Sequence, residues 1–186
     1  MSEGVDSLTS MPGGPAPEPD PLARFSPPVA EWFRTSFPAP TAAQQGAWPA
    51  IAGGEHVLLC APTGSGKTLA AFLWAVDRLA THPAVAEARA ATRVLYVSPL
   101  RALAVDVEKN LRAPLRGITL AAERIGVTVT EPTVGIRTGD TSPEERRRLA
   151  RHPPDILITT PESLYLMLTS AIRDTLVGVE SVIVDE

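Results

Sequence analysis

The stretch Ala61-Pro62-Thr63-Gly64-Ser65-Gly66-Lys67-Thr68 constrains this chain more than any other. An apolar run, Val57 to Cys60, precedes it and reads as a buried strand. Leu69 to Leu79, apolar at helical spacing, follows it. A strand that feeds a glycine-rich turn and then a helix aims the backbone N–H groups of the turn and the helix start into one concavity, where an anion is favoured. Gly64 and Gly66 lack a Cβ, so the backbone there can take strained dihedrals and admit phosphate oxygens closely. In such a cradle, built from Pro62, Thr63, Gly64, Ser65, Gly66, Lys67 and Thr68, the lysine reaches the β- and γ-phosphates and the Thr68 hydroxyl holds Mg²⁺. Ala61 departs from the general pattern, which begins with Gly. A flexible Gly/Ser turn with a surface lysine is the plainer alternative, but it does not account for an apolar strand leading straight into the turn.

The chain has 186 residues, 44% of them hydrophobic, enough for one sizeable core and a tail. Its net charge of −4 rules out a global basic field as the basis of nucleic-acid binding, so any such site must be local. Cys60 is the single cysteine, which precludes an intramolecular disulfide; in an apolar run it reads as a packed thiol. His56, His82 and His152 are scattered, and no zinc ligand set results. With no apolar run near the ~18 residues of a membrane span and no basic-then-apolar leader, a soluble cytoplasmic protein is expected.

Residues 1–22 are rich in Pro, Gly and acidic groups and are expected to be a disordered tail, leaving 23–186 as the folded part. A short helix is predicted over Val29 to Thr35. Thr41, followed three residues later by Gln44, forms a capping box for the next helix, which Pro49 kinks or ends. An alanine-rich connector covers Thr81 to Thr92. Strands are predicted over Arg93–Ser98, Thr133–Arg137, Asp155–Thr159 and Val179–Val184, separated by helical segments: Leu100–Leu111, a second short helix over Leu115–Arg124, one starting at Ser142-Pro143-Glu144-Glu145, and one capped by Thr160 with Leu164, Met167 and Leu168 as its apolar face. Alternating strands and helices indicate an α/β fold with a parallel sheet covered on both faces.

The last strand ends in Asp185-Glu186. Ligands of parallel sheets sit at the carboxyl ends of the strands, the edge on which the glycine-rich turn also lies. Asp185 is then the carboxylate behind Mg²⁺, and Glu186 the group that orients or deprotonates an attacking water. An ordinary pair of strand-end acids is the alternative for this dipeptide taken alone.

In their order, these segments resemble the motifs of superfamily 2 nucleic-acid helicases. Phe25 with Pro40-Thr41-x-x-Gln44 is similar to the adenine-recognising Q motif, Ala61–Thr68 to motif I (where that family often has Ala first), Ser98-Pro99-Leu100-Arg101-Ala102-Leu103 to motif Ia, Thr159-Thr160-Pro161-Glu162-Ser163-Leu164 to motif Ib, and Val182–Glu186 to the start of motif II. Gly135 to Gly139 lies where a backbone-contacting loop is expected. The wording P-L-R-A-L, G-x-R-T-G-D-T and T-T-P-E-S-L most resembles the large helicase-related (Lhr-type) branch, over about Phe25 to Glu186. The resemblance implies a RecA-like P-loop NTPase fold using ATP and Mg²⁺. Within it, Gln44 bonds the adenine edge and Phe25 stacks on the ring. Lys67, Asp185 and Glu186 carry hydrolysis. Pro99, Arg101, Gly139, Thr160, Pro161 and Glu162 line the path of a DNA or RNA backbone, single-stranded, with no membrane involved. It also implies a motif III strand flanking the turn-feeding strand, a second RecA-like domain and arginine fingers beyond Glu186. The 186-residue chain is thus expected to be an incomplete first motor domain with negligible unwinding, at most trace ATPase, and an unpaired strand edge. A different P-loop enzyme, such as a small-molecule kinase, and a stand-alone ATP-binding or interaction module are the alternative readings.

Overall fold

Four parallel strands form one sheet in the order β2-β3-β1-β4 in the computed structural model, which describes residues 20–82 and 91–185. The strands are β1 Val94–Val97, β2 Val134–Arg137, β3 Ile156–Thr159 and β4 Ser181–Val184. The helices are α1 Pro27–Ser36, α2 Ala42–Ala52, α3 Lys67–Thr81, α4 Arg101–Arg124, α5 Pro143–Arg151 and α6 Pro161–Leu168, with a 3₁₀ turn over Ala171–Leu176. Parallel neighbours require crossovers, and α4, α5 and α6 supply them. β1 and β3 are central and buried along their whole length, which is why both are continuous apolar runs.

Side chains alternate across the sheet. Val94, Tyr96, Ile156 and Ile158 join α1, α3 and α4 in the larger core. Leu95, Val97 and Leu157 meet Met167 on the other face, with Leu164, Ile172 and Leu176 packed against them. The main core is heavily aromatic on its N-terminal side. Phe25 and Phe33 both lie edge-on to Trp48, at 4.9 and 5.5 Å between ring centroids. Trp48 is fully buried and its indole N–H donates to the Ala70 carbonyl at 3.2 Å, tying α2 to α3. Ser26, the N-cap of α1, donates its N–H (3.0 Å) and its hydroxyl to the Asp77 carboxylate of α3.

Several expectations are corrected. Val57 to Cys60 is not a buried strand: it has no ladder partner among the described residues, Leu58 is 90% exposed, and Cys60 is an exposed thiol rather than a packed one. A run of apolar residues supplies strand propensity but not a neighbouring strand, and no described strand lies beside this one. Leu100–Leu111 and Leu115–Arg124 are one helix. Pro114 removes a single backbone bond, while Ala104, Val107, Leu111, Leu115, Ile118 and Ala122 keep one face buried through it. Of the two outcomes expected at Pro49, a kink or an end, the end does not occur: α2 runs on to Ala52 and stops at Gly53-Gly54. Of the expected apolar face of α6, Met167 is buried and Leu164 packs beside it, but Leu168 is 52% exposed and Ser163 completes the buried side. Leu22, assigned to the tail, is buried in the core. Asp20, also assigned to the tail, pairs with Arg34 at 2.7 Å. Residues 1–19, residues 83–90 of the connector, and Glu186 fall outside the described residues.

Candidate functional site

The turn between the segment 55–60 and α3 has the backbone that its glycines permit. Gly64 and Gly66 sit at φ +80° and +79°, in the left-handed region. Gly66 is the N-cap of α3 and no side chain caps that helix. Its first N–H groups are thus left for another acceptor. The Ser65 hydroxyl oxygen is likewise buried without a hydrogen-bond partner. An anion with several acceptor oxygens fits such a set of donors. Lys67 folds back so that its ammonium donates to the carbonyls of Ala61 and Pro62 (3.0 Å for the latter), inside the turn. Thr68 is exposed in the first turn of α3, as are Pro62, Thr63 and Gly64 in the loop.

The capping box is formed and does a second task. Thr41 Oγ1 accepts from the Gln44 N–H, and Gln44 Oε1 accepts from the Thr41 N–H at 2.9 Å. The same two side chains also hold the turn: the Thr41 hydroxyl donates to the Ser65 carbonyl at 2.8 Å, and Gln44 Nε2 donates to the Gly66 carbonyl at 3.4 Å. Gln44 is 3% exposed and both ends of its amide are engaged. Phe25 is 7% exposed and packed between Trp48 and Trp74, so its ring belongs to the core beneath the turn.

On the other side of the site, β4 extends the ladder by one bond past its last residue: the Asp185 N–H donates to the Val97 carbonyl at 3.0 Å. The Tyr96 hydroxyl donates to Asp185 Oδ2. The Tyr96 ring stacks on Phe72 of α3, with centroids 5.1 Å apart and planes at 28°. Phe72 lies five residues beyond Lys67 on the same helix. One buried relay, Phe72–Tyr96–Asp185, therefore joins the helix that opens the turn to the acid at the end of β4. Tyr96 was not singled out from the sequence: inside V-L-Y-V it reads as one more core residue, and its partner is 89 positions away.

The remaining predicted residues cluster at the carboxyl ends of β1, β2 and β3. Pro99 and Arg101 are exposed at the start of α4, which no side chain caps. Arg101 Nη1 donates to Asp140 Oδ1 at 2.6 Å, and a Cβ on Gly139 would lie 2.7 Å from Arg101 Nη2. Gly139 and Arg101 are thus neighbours across two strand ends. Gly135, by contrast, is a packing glycine within β2: a Cβ there would meet Leu149 and Pro154, both at 2.9 Å. Thr160 is 3% exposed and spends its hydroxyl on Ser163, accepting from the Ser163 N–H at 3.4 Å; Pro161 and Glu162 beside it are exposed. Arg146 braces the turn after β2 by donating to the carbonyls of Thr141, Thr138 and Gly139. Arg137, at the end of β2, has a buried Nη1 with no hydrogen-bond partner. Burial, and then the charge of Arg146, hold its pKa below the usual arginine value. Neither arginine was identified from the sequence, because a strand-end and a helix arginine carry no local signal of what faces them.

Comparison with known proteins places the chain in a family. The family model described as DEAD/DEAH box helicase matches residues 41–186. The chain is 64% identical over 167 residues to the "Lhr helicase/ probable uracil glycosylase" of Mycolicibacterium smegmatis, covering 90% of this chain and 11% of that protein. It is 44% identical over 160 residues to the "ATP-dependent helicase Lhr-Core" of Methanocaldococcus jannaschii, covering 86% of this chain and 19% of that one. Among solved structures, that of Mycobacterium smegmatis helicase Lhr bound to ssDNA and AMP-PNP superposes with a TM-score of 0.85 at 62% identity, over 90% of this chain and 21% of that one. The chain therefore spans about a tenth to a fifth of the length of these relatives.

Proposed function

The chain belongs to the DEAD/DEAH box helicase family, and from that premise we propose that it forms the ATP-binding part of an ATP-dependent nucleic-acid helicase or translocase. Its fold is that of a RecA-like domain. The observation that carries the proposal is the joining of an uncapped, lysine-bearing helix start to a strand-end carboxylate through Phe72 and Tyr96.

In this reading the triphosphate occupies the donors of Gly64 to Thr68. Lys67 exchanges the Ala61 and Pro62 carbonyls for phosphate oxygens, trading neutral acceptors for charged ones. Thr68 and Asp185 would hold Mg²⁺, which would supply charge neutralisation for the triphosphate. Glu186 takes the proton of the attacking water. Gln44 and Thr41 position the loop from beneath. Gln44 still has a second Nε2 hydrogen and a second Oε1 lone pair, so it can bond the adenine edge while it holds Gly66 and Thr41, and base recognition is tied to loop position through one side chain.

The nucleic-acid strand crosses the ends of β1 to β3. There the α4 start and Arg101 hold one phosphate, the Gly139 turn a second, and the α6 start with Thr160, Pro161 and Glu162 a third. Thr160 serves through its backbone, since its side chain is spent on Ser163. The relative solved with ssDNA supports a single strand as the ligand. The contacts are to backbone, so they do not select a base sequence.

The test is nucleotide binding by the chain with and without Lys67→Ala, and strand-stimulated ATP hydrolysis by the full-length protein that carries it. A loss of ATP affinity of at least about tenfold, ~1.4 kcal/mol, is expected for Lys67→Ala, with the melting temperature held. Equal affinity in the two proteins would refute the site.

A further inference from the structure

We propose that Tyr96 is a positioning residue for the metal-facing carboxylate of Asp185. This rests on the reading above that Asp185 faces Mg²⁺. Asp185 is fixed to β1 twice. Its N–H bonds the carbonyl of Val97, and its Oδ2 accepts from the hydroxyl of the neighbouring Tyr96. The first contact sets the backbone; the second sets the side chain through one of its two oxygens. A carboxylate on a free strand end samples several rotamers, and each costs order when an ion or its water shell must be held. A carboxylate already bonded through one oxygen presents the other in one direction.

Tyr96 is itself immobile. It is 1% exposed, lies mid-strand in β1 between the two central ladders, and stacks on Phe72. The hydroxyl is therefore delivered from a rigid support. Because Phe72 sits on the helix that begins at the phosphate turn, the same phenol registers the carboxylate against that helix. A buried tyrosine that merely needs an acceptor would be served by any carbonyl. Here the acceptor is the carboxylate of Asp185, which follows β4 directly.

The test compares the full-length protein with Tyr96→Phe, which keeps the ring and its stack and removes only the hydroxyl, and with Asp185→Asn. A fluorescent ATP analogue is titrated at increasing Mg²⁺, and again in excess chelator. Tyr96→Phe is expected to raise the Mg²⁺ concentration for half-maximal binding by roughly 10- to 100-fold, the usual cost of removing a partner of a metal ligand. Binding in chelator and the melting temperature should stay unchanged. The Mg²⁺ dependence of kcat should shift in parallel, while KM at saturating Mg²⁺ does not move.

If Asp185→Asn leaves the Mg²⁺ dependence intact, the reading of Asp185 fails. If Asp185→Asn abolishes it and Tyr96→Phe matches the parent, the role of Tyr96 is overturned and that of Asp185 stands. Should Tyr96→Phe not fold, 3-fluorotyrosine at position 96 keeps the shape with a more acidic hydroxyl. It must then change the half-saturating Mg²⁺ concentration, and an unchanged value overturns the inference.

Discussion

The side-chain amide of Gln44 closes over the backbone of Gly66. Nε2 donates to the Gly66 carbonyl at 3.4 Å, and a Cβ on residue 66 would lie 2.6 Å from that same nitrogen. Gly66 also sits at φ +79°. Gly64 shares the left-handed backbone, at +80°, but nothing lies within 4 Å of its Cβ position. Gly64→Ala should therefore cost only backbone strain, about 1–2 kcal/mol. Gly66→Ala adds a clash with Gln44 and should cost roughly 1 kcal/mol more. It should also weaken nucleotide binding further, because the displaced amide no longer holds the turn. Urea unfolding and nucleotide titration of the two variants side by side check this; equal losses at both positions would show that the Gln44 contact is immaterial.

The same pair shows how much of the site is legible without coordinates. Thr41-x-x-Gln44 reads as a capping box from three-residue spacing alone, and it is one. That the box also grips Ser65 and Gly66 requires contacts 22 to 24 residues apart, which spacing does not carry. β1 and β3 are legible because burial on both faces makes them uniformly apolar. Val57–Cys60 is equally apolar and still has no ladder partner among the described residues, since pairing depends on a neighbour. Pro114 reads as a break when taken alone, yet the buried stripe from Ala104 to Ala122 carries α4 across it. Tyr96 is the clearest case, a core residue by pattern whose one polar atom points at a site assembled from two distant segments.

Asp77 gives the fold a pH dependence of stated sign. It is 5% exposed and accepts both the N–H and the hydroxyl of Ser26. Burial raises its pKa above 3.8, outweighing the Ser26 bonds that pull it down. The native state therefore holds a proton that the unfolded state has released, and stability falls as pH rises from 3.8 through the folded value. Asp77→Asn keeps an acceptor for the Ser26 N–H and removes the titration. Its stability relative to the parent should improve as pH rises through that window and be flat above it. Asp77→Ala leaves the start of α1 without its acceptor and should cost about 1–3 kcal/mol at all pH values. Urea midpoints from pH 3 to 7 would contradict this if the parent and Asp77→Asn ran in parallel.

An exposed apolar segment without a ladder is a template for association. Leu58 is 90% exposed beside Val57, and on β4 Val182 and Val184 are 57% and 72% exposed. These surfaces predict that the 186-residue chain self-associates with rising concentration. Leu58→Lys and Val184→Lys, each placing a charge on one of the two edges, should shift the chain towards monomer and change the melting temperature little, because neither side chain is buried. Sedimentation velocity across a concentration series decides. A parent that stays monomeric at the highest concentration would sink the prediction, as would variants that associate as strongly as the parent.

Arg137 sets stability against binding. Its Nη1 is buried without a hydrogen-bond partner, and the like charge of Arg146 acts on it. Among the described residues no ion pair neutralises this cation at the carboxyl end of β2, two residues before Gly139. A cation held this way costs the isolated protein and repays that cost when a phosphate arrives. Arg137→Gln should then raise the melting temperature slightly while weakening single-strand binding. The slope of log affinity against log salt should fall by about one phosphate contact. Arg137→Lys keeps the charge and should retain the salt slope. Fluorescence anisotropy with an oligonucleotide at several salt concentrations, run on the full-length protein, reads both slope and affinity. An unchanged slope in Arg137→Gln would assign the strand to Arg101 and Gly139 without Arg137, and a lowered melting temperature would mean that the guanidinium serves the fold rather than the ligand.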